Sequence, residues 1–400
     1  MISPRSFEIG IPSSQSVHKG RPDMKPAAYY RGKEQTYLKH FFLERYLETV
    51  AFHIGYSHRD FVYVDCFSGP WQSNDEAFAD TSIRIALDKL NYVREGLAAQ
   101  QRSAAISAIF VEKDPVAFRA LKAALEQHQH AIKSTALPGT FEDNILAIVQ
   151  TIGSAFAFCF IDPKGWTGFA MDHITPLLRH QPGEVMINFM YDFVNRFINY
   201  PEPANEQSLD RFFGTTEWRE IRNASNREAA SVELYKEQLR TAGKYQYVTS
   251  TRILKPLRDR AYFHLVYATR NPKGILKFRD VEKQTTKEQD AVRATAQREH
   301  REQQTGQAEL TFARTEDLST GTQADRAQRL QEARNRLFSV LQHGPILYDL
   351  LQPSILEIPL VWNTDLNAML MCEHNERRLT IQGLAPRQRA PKAGNIIKLP

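Results

Sequence analysis

The sequence predicts an α/β chain in which a mostly parallel, doubly wound sheet precedes a smaller C-terminal module. Three observations carry this. Strand-like and helix-like segments alternate five times between residues 61 and 190, as βα units do. Residues 156–161, FAFCFI, hold no charge, the mark of a strand buried on both faces of a parallel sheet. That run ends at Asp162-Pro163, where proline's missing N–H stops the ladder and leaves a carboxylate at the strand's carboxyl end. Open α/β sheets bind their ligands at this edge.

The elements follow in order. Residues 1–32 are rich in Pro, Ser and Gly without periodicity and read as an extended or mobile arm. Residues 34–54 place Leu38, Phe41, Leu43, Tyr46, Leu47 and Val50 at helical spacing, an amphipathic helix. FVYVD (61–65) is a β-branched and aromatic strand ending in Asp65 and the turn CFSGP. A helix-rich stretch, 77–101, precedes a strand at 109–111 that ends in Glu112. Asp114-Pro115 marks a capped helix over 115–129. A weak strand (132–137), a helix (142–152), the 156–161 strand, a helix (171–178) and an apolar strand (184–190) follow.

Residues 205–243 read as a polar helical insertion beside the sheet. Strands at 246–254 and 262–269 form an antiparallel pair across KPLRDRA. Residues 281–335 are charged and poor in large apolar side chains, which predicts a solvated helix or linker. From Arg336, two helices, a third at 364–373 and strands near 379–381 and 396–399 predict a winged-helix-like module with residues 383–395 as its basic wing.

Composition bounds the function. Four hundred residues suggest two or three domains, and 42% hydrophobic with 24% charged residues is that of a soluble globular chain. No run approaches the roughly 18 apolar residues of a membrane span, and MISPRSFEIGIPSSQ has no signal-peptide core. Cys66, Cys159 and Cys372 show no CxxC and no metal-ligand spacing, so no metal site is expected and a reduced, cytoplasmic protein is. A net charge of +5 says little alone, but Glu376–Pro400 holds six basic residues and one acid. Such a tail is read as a phosphate-binding surface or as a solvated tail.

Asp65, Glu112 and Asp162 end three strands in order. In nucleotide-binding sheets the first turn needs small residues so that backbone N–H groups approach the ligand, here Ser68 and Gly69. The acid ending the second strand accepts from the ribose hydroxyls, and the acid ending the fourth lies over the reacting group. A dinucleotide is disfavoured because DCFSGP has one glycine and no GxGxxG, and ATP because GxxxxGK[ST] is missing. S-adenosylmethionine carries no phosphate, needs no phosphate-cradling turn, and needs a carboxylate near its ammonium, which Asp65 supplies.

KHFFLERYL, DCFSGP, FVEKD, FIDPKGW, INFMYDFVNRF, RFFGTTEW and HLVYATRNPKGILKFRDV occur in one order. Together they resemble the three-Cys-motif partner proteins of the class I methyltransferase superfamily, over about residues 35–285 and the C-terminal module. The family name refers to a neighbour-encoded partner, so this chain's own cysteines are coincidental. The resemblance implies the seven-stranded, Rossmann-like methyltransferase fold and S-adenosylmethionine as cofactor. It places Asp65, Phe67 and Gly69 in the first cofactor loop and Glu112 on the ribose. Lys113 or Asp114 would flank the adenine, and Phe141 or Asp143 would lie in the third loop beside it. Asp162-Pro163 would stand at the catalytic strand end.

Two departures from the superfamily stand out. Residues 71–105 include an inserted helical region, because about 20 residues would suffice between the first two acids. Amino-methyltransferases use Asp/Asn-Pro-Pro-aromatic to hold an NH2 and stack the flipped base. Here Lys164 replaces the second proline and Gly165 displaces the aromatic to Trp166, which is left to stack. Lys164 puts a cation where an amine must be electron-rich, and is read as a phosphate contact or a surface residue. Asn188 lies in the next strand, and Asn195 and Arg196 after it. Asn188 is read as a substrate contact or a satisfied structural amide, Arg196 as a candidate for substrate phosphate, and Arg387 and Arg389 as substrate candidates on the wing. Lys39-His40, early in the first helix, reads as a pair closing over the cofactor or as a helix-surface pair, and His264 as core. Three functions compete: methyl transfer to RNA or DNA, a catalytically silent scaffold working with nucleic acid or a partner protein, and a metal-dependent nuclease built on Asp143, Asp162 and Lys164.

Overall fold

A computed structural model of the chain describes residues 24–57, 60–69, 81–127, 132–200, 202–307 and 318–400. The strand-like runs become strands β1 (Asp60–Asp65), β2 (Ala105–Glu112), β3 (Lys133–Pro138), β4 (Phe156–Ile161), β5 (Gly183–Phe189), β6 (Tyr247–Leu254) and β7 (Ala261–Thr269). They form one sheet in the order β3-β2-β1-β4-β5-β7-β6. All neighbours are parallel except β7, which runs antiparallel to β5 and β6. This is the mixed seven-stranded plan of the class I methyltransferase fold.

Alternation along the strands sends Phe61, Tyr63, Phe156, Phe158 and Phe160 to one face and Val62, Val64, Ala157, Cys159 and Ile161 to the other. The first face is covered by α1 (Glu34–Ser57), α2 (Ser82–Ala99) and the start of α9 (Pro272–Thr305). The second is covered by α4 (Phe141–Ile152), α5 (Met171–Leu178), α6 (Tyr191–Ile198), α7 (Pro203–Phe213) and α8 (Arg227–Gly243). Helix α3 (Pro115–Gln127) joins β2 to β3 and sends Leu121 into the first core.

Three expectations change. The segment over 205–243 is no polar appendage, since Leu209, Phe212, Phe213, Trp218, Tyr235 and Leu239 are fully buried on the second face. The expected solvated helix or linker over 281–335 is helical over its described parts, but its first turns are not solvated, and residues 308–317 lie outside the described residues. Helix α9 buries Phe278, Arg279, Val281, Glu282, Thr285, Gln289 and Asp290, so the expected boundary at 280/281 falls inside a packed helix. Within the expected arm, residues 1–23 lie outside the described residues. Ala27–Tyr30 makes a single 3-10 turn whose Tyr30 is buried and hydrogen-bonded to His40. Residues 70–80 and 128–129 of the predicted turn and helices also lie outside. No helix among the described residues is long and apolar enough to cross a membrane.

The C-terminal region runs α10 (Thr320–Leu341), β8 (Ile346–Leu347), α11 (Tyr348–Ile355), α12 (Asn363–Asn375), β9 (Thr380–Gln382) and β10 (Ile396–Lys398). Its small antiparallel sheet has the order β8-β10-β9. Buried polar groups of α9 clasp this region. The Arg279 guanidinium, with no exposed surface, donates to Leu356 O (2.7 Å), Glu357 O (3.0 Å) and Glu282 Oε1 (2.6 Å). Glu282 also accepts from Leu360 N (3.2 Å). Two turns on, Asp290 accepts from Ser319 N (2.9 Å) and the Thr322 hydroxyl (2.9 Å), holding the start of α10.

Removing one partner of a buried ion pair leaves the other charge unsatisfied, at about 3–5 kcal/mol. Arg279→Met should therefore make residues 320–400 unfold in an earlier calorimetric transition than in the wild type. The double substitution Arg279→Met/Glu282→Leu should move that transition less than Arg279→Met alone.

Candidate active site

Register alone gathers the strand-end residues. Asp65 of β1 lies opposite Phe110 of β2 and Phe160 of β4, and Phe160 lies opposite Met186 of β5. Glu112, Asp162 and Asn188 each stand two residues beyond those partners. With a side-chain period of two, all four project from the α1 face at the carboxyl edge. The two carboxylates on which the reading depends, Asp65 and Glu112, therefore share one side of the sheet.

Asp65 is buried, and its Oδ1 accepts from Phe67 N (3.1 Å) while Oδ2 accepts from the Ser82 hydroxyl (3.2 Å). Burial, and next the charge of Asp162, push its carboxyl up to about 6, against the smaller pull of the Phe67 N–H, the Ser82 hydroxyl and Lys39. Among the described residues, a buried carboxylate held in this way has no ion-pair partner.

The turn after β1 is pinned to β2. Ser68 donates its N–H to Val111 O (2.8 Å), and its hydroxyl accepts from Val111 N (3.1 Å) and donates to Asp65 O (3.0 Å). Ser68 thus shapes the loop rather than facing a ligand. Gly69 comes so close to Glu112 that a Cβ there would collide with Oε2. Glu112 Oε1 accepts from Asp114 N (2.6 Å), and Asp114 Oδ1 caps α3 through Val116 N and Ala117 N. Lys113 is exposed.

In the third loop, Phe141 is 2% exposed and packs on Phe67 (centroids 5.5 Å apart), which also meets Phe169 (6.1 Å). Phe67 is only partly buried, so Phe67, and not Phe141, keeps surface for a ring. Asp143 is exposed and bonded to the Thr140 hydroxyl that caps α4 (2.6 Å). It contacts neither Asp162 nor Lys164, so the nuclease arrangement does not form. Among the described residues no group of three His, Cys, Asp or Glu side chains comes together to hold a metal.

The β4 end departs most from expectation. Asp162 Oδ2 is paired with Lys39 Nζ at 2.5 Å, and Oδ1 accepts from Asn188 Nδ2 at 2.7 Å. Lys39-His40 is therefore no surface pair. Lys39 is 15% exposed and reaches the strand end from α1. His40 is buried against Tyr30, and burial, then the Lys39 charge, pull its imidazole down to about 3. Asn188 Oδ1 is buried without a hydrogen-bond partner among the described residues. Flipping the amide would set two oxygens together against Asp162, so this acceptor stays open.

Pro163 is buried and Lys164 exposed, with no ion-pair partner for Lys164 among the described residues. Trp166 is not left to stack. It is 7% exposed and packed on Phe197 (5.4 Å) and Phe212 (6.3 Å), because Gly165 turns it under the loop into the second core. His264 is buried beside Glu228 (3.2 Å).

Arg196 lies on α6 beside this edge. It lines an open hollow of about 580 Å³ with Asp192, Asn195, Asn199, Tyr200, Lys255 and Arg260. Arg387 and Arg389 are exposed on the β9–β10 loop, whose hydrogen bonds (Gln388 to Asn395, Gly394 N to Asp349) stay within the C-terminal region. They do not join the Asp162 cluster. Sequence reasoning missed Ser82 and the Lys39–Asp162 pair, whose members are 123 positions apart.

No family model matches the chain, and no curated protein matches it in sequence. Solved structures similar to part of it include a Legionella pneumophila protein at 12% identity, covering 62% of this chain and 88% of that one, TM-score 0.34. An O-methyltransferase from Bacillus cereus in complex with SAH is 11% identical, covering 56% and 80%, TM-score 0.27. Loganic acid methyltransferase with SAH is 11% identical, covering 71% and 87%, TM-score 0.26. At these scores the likenesses carry no argument about the site, which rests on its own geometry.

Because folding raises the Asp65 carboxyl, the folded state holds a proton that the unfolded state releases. Stability therefore falls as pH rises from about 4 to about 6 and stays lower above that. The shift corresponds to on the order of 2–3 kcal/mol. Asp65→Asn keeps an acceptor for Phe67 N and removes the charge. It should raise the melting temperature at pH 7.5 and flatten the pH dependence of melting between pH 4 and 6.

Proposed function

We propose that the chain is an S-adenosylmethionine-dependent methyltransferase acting on nucleic acid. The observation that carries the cofactor is the alignment of Asp65, Glu112 and Asp162 on one face of the carboxyl edge. Gly69 brings the backbone close to Glu112, and the buried Asp65 carboxylate has no ion-pair partner among the described residues. These residues fit the group. Asp65 would meet its ammonium, Glu112 its ribose hydroxyls, and the partly buried face of Phe67 its adenine. The cofactor supplies an electrophilic methyl group on a sulfonium sulfur.

The chain's own residues then orient the acceptor. Asp162, held by Lys39 and Asn188, keeps lone pairs on both oxygens, and Asn188 Oδ1 adds an open acceptor beside it. An O–H or N–H donor presented there is oriented by two oxygens. Lys39, an ammonium donating to Asp162 Oδ2, has no lone pair for the acceptor's proton, which a carboxylate oxygen of Asp162 can take. Trp166, being core, stacks no base, and that role is withdrawn.

The nucleic-acid half of the reading rests on the C-terminal region. Its helix–strand–helix–helix–strand–strand order and exposed Arg387, Arg389 and Lys392 on the β9–β10 loop suit a winged-helix-like module with a basic wing. One observation favours a second reading. Asp162 is engaged on both oxygens, which suits a scaffold that binds the cofactor without transferring methyl.

Calorimetry with S-adenosylhomocysteine tests the proposal, followed by tritium transfer from the labelled cofactor to total RNA and DNA. Asp65→Ala should abolish binding, and no binding by the wild type would end the reading. The ligand's ammonium favours ionised Asp65, so affinity should rise as pH increases through about 6 and level off above it. Tight binding without transfer to either nucleic acid would select the second reading.

A further inference from the structure

We propose that the hollow beside the methyl-transfer edge grips the phosphodiester backbone of a single-stranded nucleic acid, with Tyr200 stacking on an unpaired base. The inference deepens the nucleic-acid reading above and rests on it. Asp192, Asn195, Arg196 and Asn199 fall at i, i+3, i+4 and i+7 of α6 and its last turn, so one helix face forms one wall. The turn between β6 and β7 forms the other through Lys255 and Arg260. Strand β6 runs parallel to β5, which places this turn at the same carboxyl edge as Asp162 and Asn188.

The charges are arranged rather than scattered. Asp192 pairs with Lys255 Nζ (2.9 Å) and Arg260 Nη2 (3.0 Å), fixing two cations with one anion. Arg227 donates to Asn199 Oδ1 (3.0 Å) and adds a cation behind the wall. Arg196 is exposed and makes no ion pair among the described residues, its guanidinium lying 5.5 Å from the Phe193 ring. The lining alone holds three cations against one carboxylate, a net positive hollow of about 580 Å³. Tyr200, 58% exposed, stands at its rim, with Leu257, 46% exposed, on the facing turn.

An acidic peptide would satisfy the charge but has no use for the aromatic rim. A duplex satisfies the charge but presents no free base face. A single strand uses both, since phosphates pair with the cations and bases stack on exposed aromatics. Helix α6 begins just after β5, so the hollow lies at the carboxyl edge that also carries Asp162.

Fluorescence anisotropy of the full chain with labelled single-stranded RNA and DNA 20-mers, at 50 to 200 mM KCl, tests this. Arg196→Glu should weaken both at least tenfold and reduce the salt slope by about one phosphate's share, roughly 0.7. Tyr200→Ala should weaken the single strands severalfold and leave a duplex of the same sequence unchanged. S-adenosylhomocysteine binding should stay at the wild-type value in both variants, which shows that they fold. Equal affinity and salt slope for wild type and Arg196→Glu would overturn the inference. So would failure of the wild type to bind single strands, or displacement by adenosine monophosphate or polyglutamate at the strand's own concentration. If Arg196 governs strand binding in a chain that takes no S-adenosylhomocysteine, the hollow stands and the methyltransferase reading falls.

Discussion

Two carboxylates, Asp65 and Asp162, share a water-poor cleft at the end of adjacent strands, and the Lys39 ammonium lets them coexist. Without it the cleft would hold two like charges in a medium that screens poorly. Helix α1 must therefore lie where its second turn overlooks β4, and its aromatic face follows. Tyr46 packs on Phe158, and Phe42 on Phe278 of α9. The first helix is thus held over the cleft by this ion pair at its second turn and by its aromatic packing on the sheet and on α9.

The sheet supplies the rest of the site without further devices. Parallel register repeats the same parity from strand to strand, so acids at equivalent strand ends emerge together. The backbone at Gly69 then closes on Glu112 because nothing projects between them. Polar groups that look functional in isolation are spent on this geometry. Ser68 staples the turn, and Asp114 and Thr140 cap helices. What stays open is the acceptor of Asn188, the partly exposed ring of Phe67 and the cation of Arg196.

Much of this was readable from residues alone. The strands were legible because their runs lack charge, and the strand-end acids because proline or a cap follows them. Helix α9 was misread because its buried side chains are Arg279, Glu282, Thr285, Gln289 and Asp290, which hydropathy assigns to solvent. Arg279, Glu282, Gln289 and Asp290 find partners in residues 249–250, 254, 319–322 and 356–360, which no local window contains. Lys39 was misplaced for the same reason. The layer over 205–243 was undervalued because a few large aromatics, Phe212, Phe213, Trp218 and Tyr235, do the burying among many polar neighbours.

Helix α9 spans 34 residues, on the order of 50 Å, and carries two clasps on its side: Glu282 for Leu360 and Asp290 for Ser319. Each residue of an α-helix turns the chain by about 100°. One residue gained or lost between these clasps would swing the second to the wrong side of the rod, whatever its chemistry. Between the clasps only the exposed positions accept substitution freely, since Thr285, Thr286 and Gln289 are buried, and a change in length is excluded. The offset of the C-terminal region from the sheet is therefore fixed by residue count as well as by contact.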